Sequence, residues 1–135
     1  MRAVVDTNVF VSAMLSPAGI PARILTLILN RHIILLISSG IFEEYEEVLK
    51  RKEFSFNEET IHTLLRMMTL YAEKVTPISH SISLPDPDDL CFLECAITAK
   101  ADFLITGNKR HFPAALCHPI KVVSPSEFVT AGRFL

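Results

Sequence analysis

The sequence predicts an α/β protein, a three-layer α/β/α sandwich around a parallel sheet of four to five strands. Three observations lead there. Four short runs rich in Val, Ile and Leu lack the in–out alternation of a sheet with one wet face. Amphipathic helical patterns separate them, as strand–helix alternation in a parallel sheet requires. Half of the 135 residues are hydrophobic, enough to cover such a sheet on both faces within one domain spanning residues 1–135.

The elements follow in order. Residues 2–6 form the first strand and 8–15 a helix. Residues 21–31 form a second helix, with Pro21 in its first turn, where a missing N–H costs nothing. Residues 32–38 are the second strand, and Ser38 or Ser39 caps a helix over 39–52. The longest helix, 57–74, carries Ile61, Leu64, Leu65, Met68 and Tyr71–Ala72 on one side. Residues 87–100 are helical, 102–106 and 121–124 are strands, and Ser124-Pro125-Ser126-Glu127 opens a last short helix. No repeat, linker or low-complexity tract interrupts the series.

Composition narrows the function classes. A net charge of −2 excludes an overtly basic nucleic-acid binder, so a polyanionic partner needs local basic patches or a bound cation. No apolar run reaches the roughly 20 residues of a membrane span, and the early Asp6 is unlike a signal peptide. Three cysteines, Cys91, Cys95 and Cys117, without a C-x-x-C pair argue for buried reduced thiols rather than a disulfide framework or zinc ribbon. A reducing cytoplasm is the simplest compartment. No G-x-G-x-x-G or P-loop is present, and the Asp-x-Asp of an aspartate-nucleophile phosphatase is broken by Asn8. A receiver-like phosphoacceptor module fits poorly as well, because the second strand ends in Ser38-Ser39 rather than an aspartate.

Three acids fall where a parallel sheet gathers ligands, at the carboxyl ends of its strands. Asp6 closes the first strand, although "DTN" also suits a helix cap. In "SSGIFEEYEEVL" the apolar arc of Ile41, Phe42, Tyr45, Val48 and Leu49 leaves Glu43 and Glu47 pointing away. Glu44 and Glu46 flank that arc, and Glu44 lies nearer the strand end. In "DPDDLCFLECAI" Asp86, Pro87 and Asp89 suit a capped first turn. Asp89 nevertheless points among Phe92, Leu93, Ala96 and Ile97, with Asp88 on the flank. Converging carboxylates repel, and a hard divalent ion such as Mg²⁺ or Mn²⁺ resolves the repulsion. Thr106 and Asn108, in "TGN", can orient water at its rim.

The order "VVDTNVFVSAML", "SSGIFEEYEEVL", "DPDDLCFLECAITAKADFLITGNKRHF" resembles the PIN-domain family, and most closely the toxin components of bacterial and archaeal toxin–antitoxin pairs. The resemblance covers nearly the whole chain. It implies an acidic Mg²⁺ or Mn²⁺ pocket and RNA hydrolysis, with Asp6, Glu44 and Asp89 as the metal-binding acids. It favours Glu44 over Glu46 and Asp89 over Asp88. Asn108 stands where the family often has a fourth acid, which bears on a second metal and raises the alternative of a catalytically weak RNA- or protein-binding module. Asn8 is expected to hold the Asp6 loop.

The expected mechanism is metal-assisted phosphodiester hydrolysis without a histidine base, His111 being read as a surface residue of a basic turn. Lys109 and Arg110 follow "TGN" directly and are the expected RNA contacts at the pocket rim. Lys50-Arg51-Lys52 lies at the far end of its helix. The resemblance further implies a homodimer or higher homo-oligomer and a small antitoxin whose tail enters the pocket. The apolar side of helix 57–74 is either a surface for such contacts or core.

Overall fold

The apolar runs become the middle of a parallel sheet. In the computed structural model, which describes residues 1–132, Ala3, Val4, Val5, Leu35, Leu36, Leu104 and Ile105 are fully buried. Residues 133–135 of the expected domain lie outside the described residues. The strands are β1 (Arg2–Val5), β2 (Ile34–Ile37), β3 (Glu73–Lys74), β4 (Phe103–Ile105) and β5 (Lys121–Val123). They lie in the order β3-β2-β1-β4-β5, and every neighbouring pair is parallel. Ala3 pairs with Leu35 on one side and Phe103 on the other, which puts β1 at the centre.

Helices α1 (Thr7–Leu15), α2 (Ile20–Leu29), α3 (Ser39–Leu49), α4 (Glu58–Tyr71), α5 (Leu90–Ala99), α6 (Ala114–Cys117) and α7 (Pro125–Ala131) connect and cover the strands. Helix α5 packs across β1, β2 and β4, burying Phe92, Leu93, Cys95 and Ala96. Ser38 caps α3 by accepting from the N–H of Ile41 at 3.2 Å. Ser124 and Glu127 form the anticipated reciprocal box on α7. The expected Pro21 sits at the start of α2.

Helix 57–74 ends earlier than its pattern suggests. Ala72 is extended (φ −77°, ψ 149°), and Glu73 and Lys74 leave the helix to form β3 beside Leu36 and Ile37. The Arg2 guanidinium grips Glu73 with two nitrogens and also donates to the Ala99 carbonyl at 2.7 Å, so strand pairing with β2 and a long-range ion pair take the place of a further helical turn. The apolar side of α4 is core: Ile61, Leu64, Leu65 and Met68 are buried and Met67 half-buried. Helix 39–52 stops at Leu49, and Lys52–Phe54 continue as a 3₁₀ turn. The short α6 was not foreseen.

All three cysteines are free, and burial pushes the Cys91 and Cys95 thiols up to about 12, which keeps them protonated and unreactive. Among the described residues no single helix is long and apolar enough to cross a membrane.

The chain order creates a switch point. The connection leaving β1 turns toward β2, whereas the chain returning from β3 lands on the other side of β1 as β4. A crevice opens there beyond the carboxyl ends, where ligands of such sheets bind.

Candidate active site

Asp6 follows β1 immediately at this crevice and is 6% exposed. Although it occupies the N-cap position of α1, its side chain makes no capping hydrogen bond. The N–H groups of Thr7 and Asn8 face the carboxylate and favour its charged form, and Thr106 Oγ1 donates to Oδ2 at 2.8 Å. Burial outweighs these donors and raises the Asp6 pKa above the ordinary carboxylate value. Thr106 is fully buried, and its hydroxyl also accepts from the N–H of Asn108 at 3.0 Å. Both of its roles are therefore filled, and it holds Asp6 rather than a water.

The loops after β1 and β4 are fastened together. The Asn8 side-chain oxygen accepts from the N–H of Gly107 at 3.1 Å. A Cβ on Gly107 would meet that oxygen at 3.4 Å, an ordinary contact, so the two loops lie in close packing at this bond.

Glu44 is brought in by α3. The Tyr45 hydroxyl, one residue on, donates to the Val5 carbonyl, and its ring packs edge-on against Phe10 at 5.0 Å. This pins the second turn of α3 to the end of β1. Thr7 Oγ1 donates to Glu44 Oε2. Burial is the main cause of the raised Glu44 pKa, opposed by the Thr7 bond and reinforced by the charge of Asp6. Glu46 and Glu47 instead form exposed pairs with Lys50 and Arg51. Of the two glutamates that the helical wheel left open, Glu44 is the one that lies beside the end of β1.

Asp89 ends a 3₁₀ turn (Pro87–Asp89) before α5. Asp86 Oδ1 accepts from the N–H of Asp88 at 2.9 Å, so Asp86 is the cap, while Asp88 is exposed and Asp89 does not reciprocate. Asp89 is 9% exposed, and its Oδ2 is buried without a hydrogen bond. The His111 Nδ1 lies 2.9 Å away as a charge contact rather than an aligned donor. Burial first, then the charge of Asp6, raise the Asp89 pKa to about 6, against the opposing pull of His111.

The charge of Asp6 thus acts on both other expected acids, Glu44 and Asp89. The three are not the tightest donor set. Among the described residues one ligand atom from each of Asp86, Asp89 and His111 lies within 4.8 Å of the other two. Asp6 and Glu44 accept instead from Thr106 and Thr7. An orphaned buried carboxylate oxygen and three carboxylates with raised pKa values fit a hard divalent cation.

A sequence model of the PIN domain matches residues 2–110. The chain belongs to the PIN domain family. An uncharacterized protein of Methanocaldococcus jannaschii is 30% identical to this PIN protein over 141 aligned positions, covering 96% of this chain and 90% of that one. A solved chain from the structure of VapBC2 from Rickettsia felis, bound to a DNA fragment from their promoter, superposes with a TM-score of 0.62 at 18% identity. The match covers 92% of this chain and 98% of that chain, and it shows a shared fold.

The sequence reading passed over three members of the PIN crevice. In the sequence Thr7 reads as part of a cap, Asp86 as the cap that it also is, and His111 as a surface residue. His111 is 40% exposed, but its turn (Lys109–His111) delivers the ring to Asp89. Lys109, expected at the RNA rim, binds Glu127 at 2.9 Å. Arg110 is exposed and makes no ion pair among the described residues.

Proposed function

We propose that this PIN protein is a metal-dependent endoribonuclease that hydrolyses RNA phosphodiester bonds, acting as the toxin of a toxin–antitoxin pair. The observation that supports this reading is that Asp6, Glu44 and Asp89 stand near one another at one sheet crevice, where burial raises all three and the charge of Asp6 further raises Glu44 and Asp89. A bound Mg²⁺ or Mn²⁺ supplies a water of lowered pKa and neutralises charge on the scissile phosphate. Asp6, Glu44 and Asp89 would hold the ion. Thr106 and Thr7 aim the first two by hydrogen bonds that fix their rotamers. Asn108 flanks the crevice and orients water through its amide. Arg110 meets a phosphate at the rim, while Lys109 braces the turn through Glu127.

The toxin role, a small antitoxin partner, a homodimer and a cytoplasmic setting come from the family resemblance. The VapBC2 likeness supports the fold on which that role rests.

The test is incubation of the purified protein with structured and unstructured RNAs, with Mg²⁺ or Mn²⁺ and with EDTA, beside Asp6→Asn. Metal-dependent cleavage lost in the variant is expected. RNA binding without cleavage, unchanged in Asp6→Asn, overturns the reading in favour of the binding module that Asn108 motivates.

A further inference from the structure

Beside the Asp6–Glu44 pocket lies the donor set that the sequence did not single out. His111 is built into place rather than carried on a loose loop. Its turn is closed by the His111 N–H donating to the Asn108 carbonyl at 3.1 Å. Behind it Phe112 is buried in the core at 1% exposure, and Lys109 is clamped to Glu127. Opposite stands the buried, unbonded Oδ2 of Asp89, only 2.9 Å from Nδ1. Metal–ligand bonds of about 2.1 Å place adjacent ligands of an octahedral ion about 3 Å apart, so this unaligned pair already has the spacing of two neighbouring ligands. Asp86 offers a third donor: one oxygen caps the 3₁₀ turn, and a carboxylate has two.

Resting on the metal-dependent reading above, we propose that Asp86, Asp89 and His111 form a second divalent site of mixed oxygen and nitrogen donors, which takes Mn²⁺ or a later transition-metal ion in preference to Mg²⁺ and shares Asp89 with the Asp6–Glu44 pocket. The preference follows from the donors. Imidazole suits transition ions, whereas Mg²⁺ takes oxygen and parts from its waters reluctantly. The position beside Asp6, whose charge acts on Asp89 and which itself feels His111, puts the second ion next to the first.

The test reads metal binding directly. Pulsed EPR of the Mn²⁺-loaded protein is expected to show coupling to a directly bound imidazole nitrogen, and His111→Ala is expected to lose it. Mn²⁺ affinity measured by titration falls about tenfold or more in His111→Ala, the scale on which lost support of a metal ligand acts. Mg²⁺ affinity stays the same. Asp86→Asn keeps the cap on its turn, so it weakens Mn²⁺ without unfolding the segment, and thermal melts without metal verify this. Mn²⁺ bound with no nitrogen coupling, or with unchanged affinity in both variants, overturns the site while leaving the nuclease reading intact. Nitrogen coupling in a protein that cleaves no RNA supports the site and removes the nuclease reading.

Discussion

Thr106 shows how much of this site depends on a residue that touches no substrate. Its hydroxyl serves Asp6 and the Asn108 N–H at once, in full burial. Thr106→Val keeps the shape and removes both bonds. The Asn108 N–H loses its acceptor, at about 1–3 kcal/mol of stability. Cleavage is expected to fall about 10- to 100-fold as Asp6 loses its orienting donor, whereas Thr106→Ser stays near wild type. Cleavage rates against Mg²⁺ concentration, with thermal melts alongside, check this. Some of these roles were legible in the sequence and some were not. A buried strand running into Asp6 announced a site, and the wheel turned Asp89 inward. Thr7 and Asp86 were hidden because their side chains double as caps, a local use that masks the long-range one. His111 was hidden because its partner lies 22 positions back in sequence, across the packing of α5 against β4.

At the scale of elements, the joint between α3 and β1 sets the position of Glu44. The Tyr45–Val5 hydrogen bond is the polar part of that joint, and the contact with Phe10 is the apolar part. Tyr45→Phe removes the first and keeps the second. The expected cost is about 1 kcal/mol, or about 3–5 °C in Tm, with a loss of Mg²⁺ affinity as Glu44 loosens. An unchanged melt with unchanged metal binding would show that apolar packing alone seats α3. Strands β1, β2, β4 and β5 and six of the helices were readable because hydrophobic period and caps agreed in those segments. Strand β3 was not readable. Its two residues, Glu73 and Lys74, carry no β signal and continue the polar side of α4. They become a strand only because Arg2 and the free edge of β2 receive them.

For the whole molecule, crowded acids tie stability to pH and metal. Asp89 has its pKa raised from 3.8 to about 6 in the fold. A carboxyl raised in this way binds its proton more tightly folded than unfolded. Its contribution is therefore complete below about 3.8 and is lost as pH rises through about 6. Asp6 and Glu44 are raised as well and act in the same direction. Glu73, lowered by its bond to Arg2, acts oppositely and costs stability in acid. In EDTA the Tm is expected to decline as pH rises across this window. Mn²⁺ should abolish the decline, because the ion takes the place of the proton. A metal-free Tm that climbs steadily from pH 4.5 to pH 7 would show that the acids do not strain one another. The most direct test of the central claim is a crystal soaked in Mn²⁺ and measured for anomalous scattering. A peak coordinated by Asp6, Glu44 and Asp89 is the predicted result; a crevice without manganese, or an ion bound only away from these three carboxylates, would contradict it.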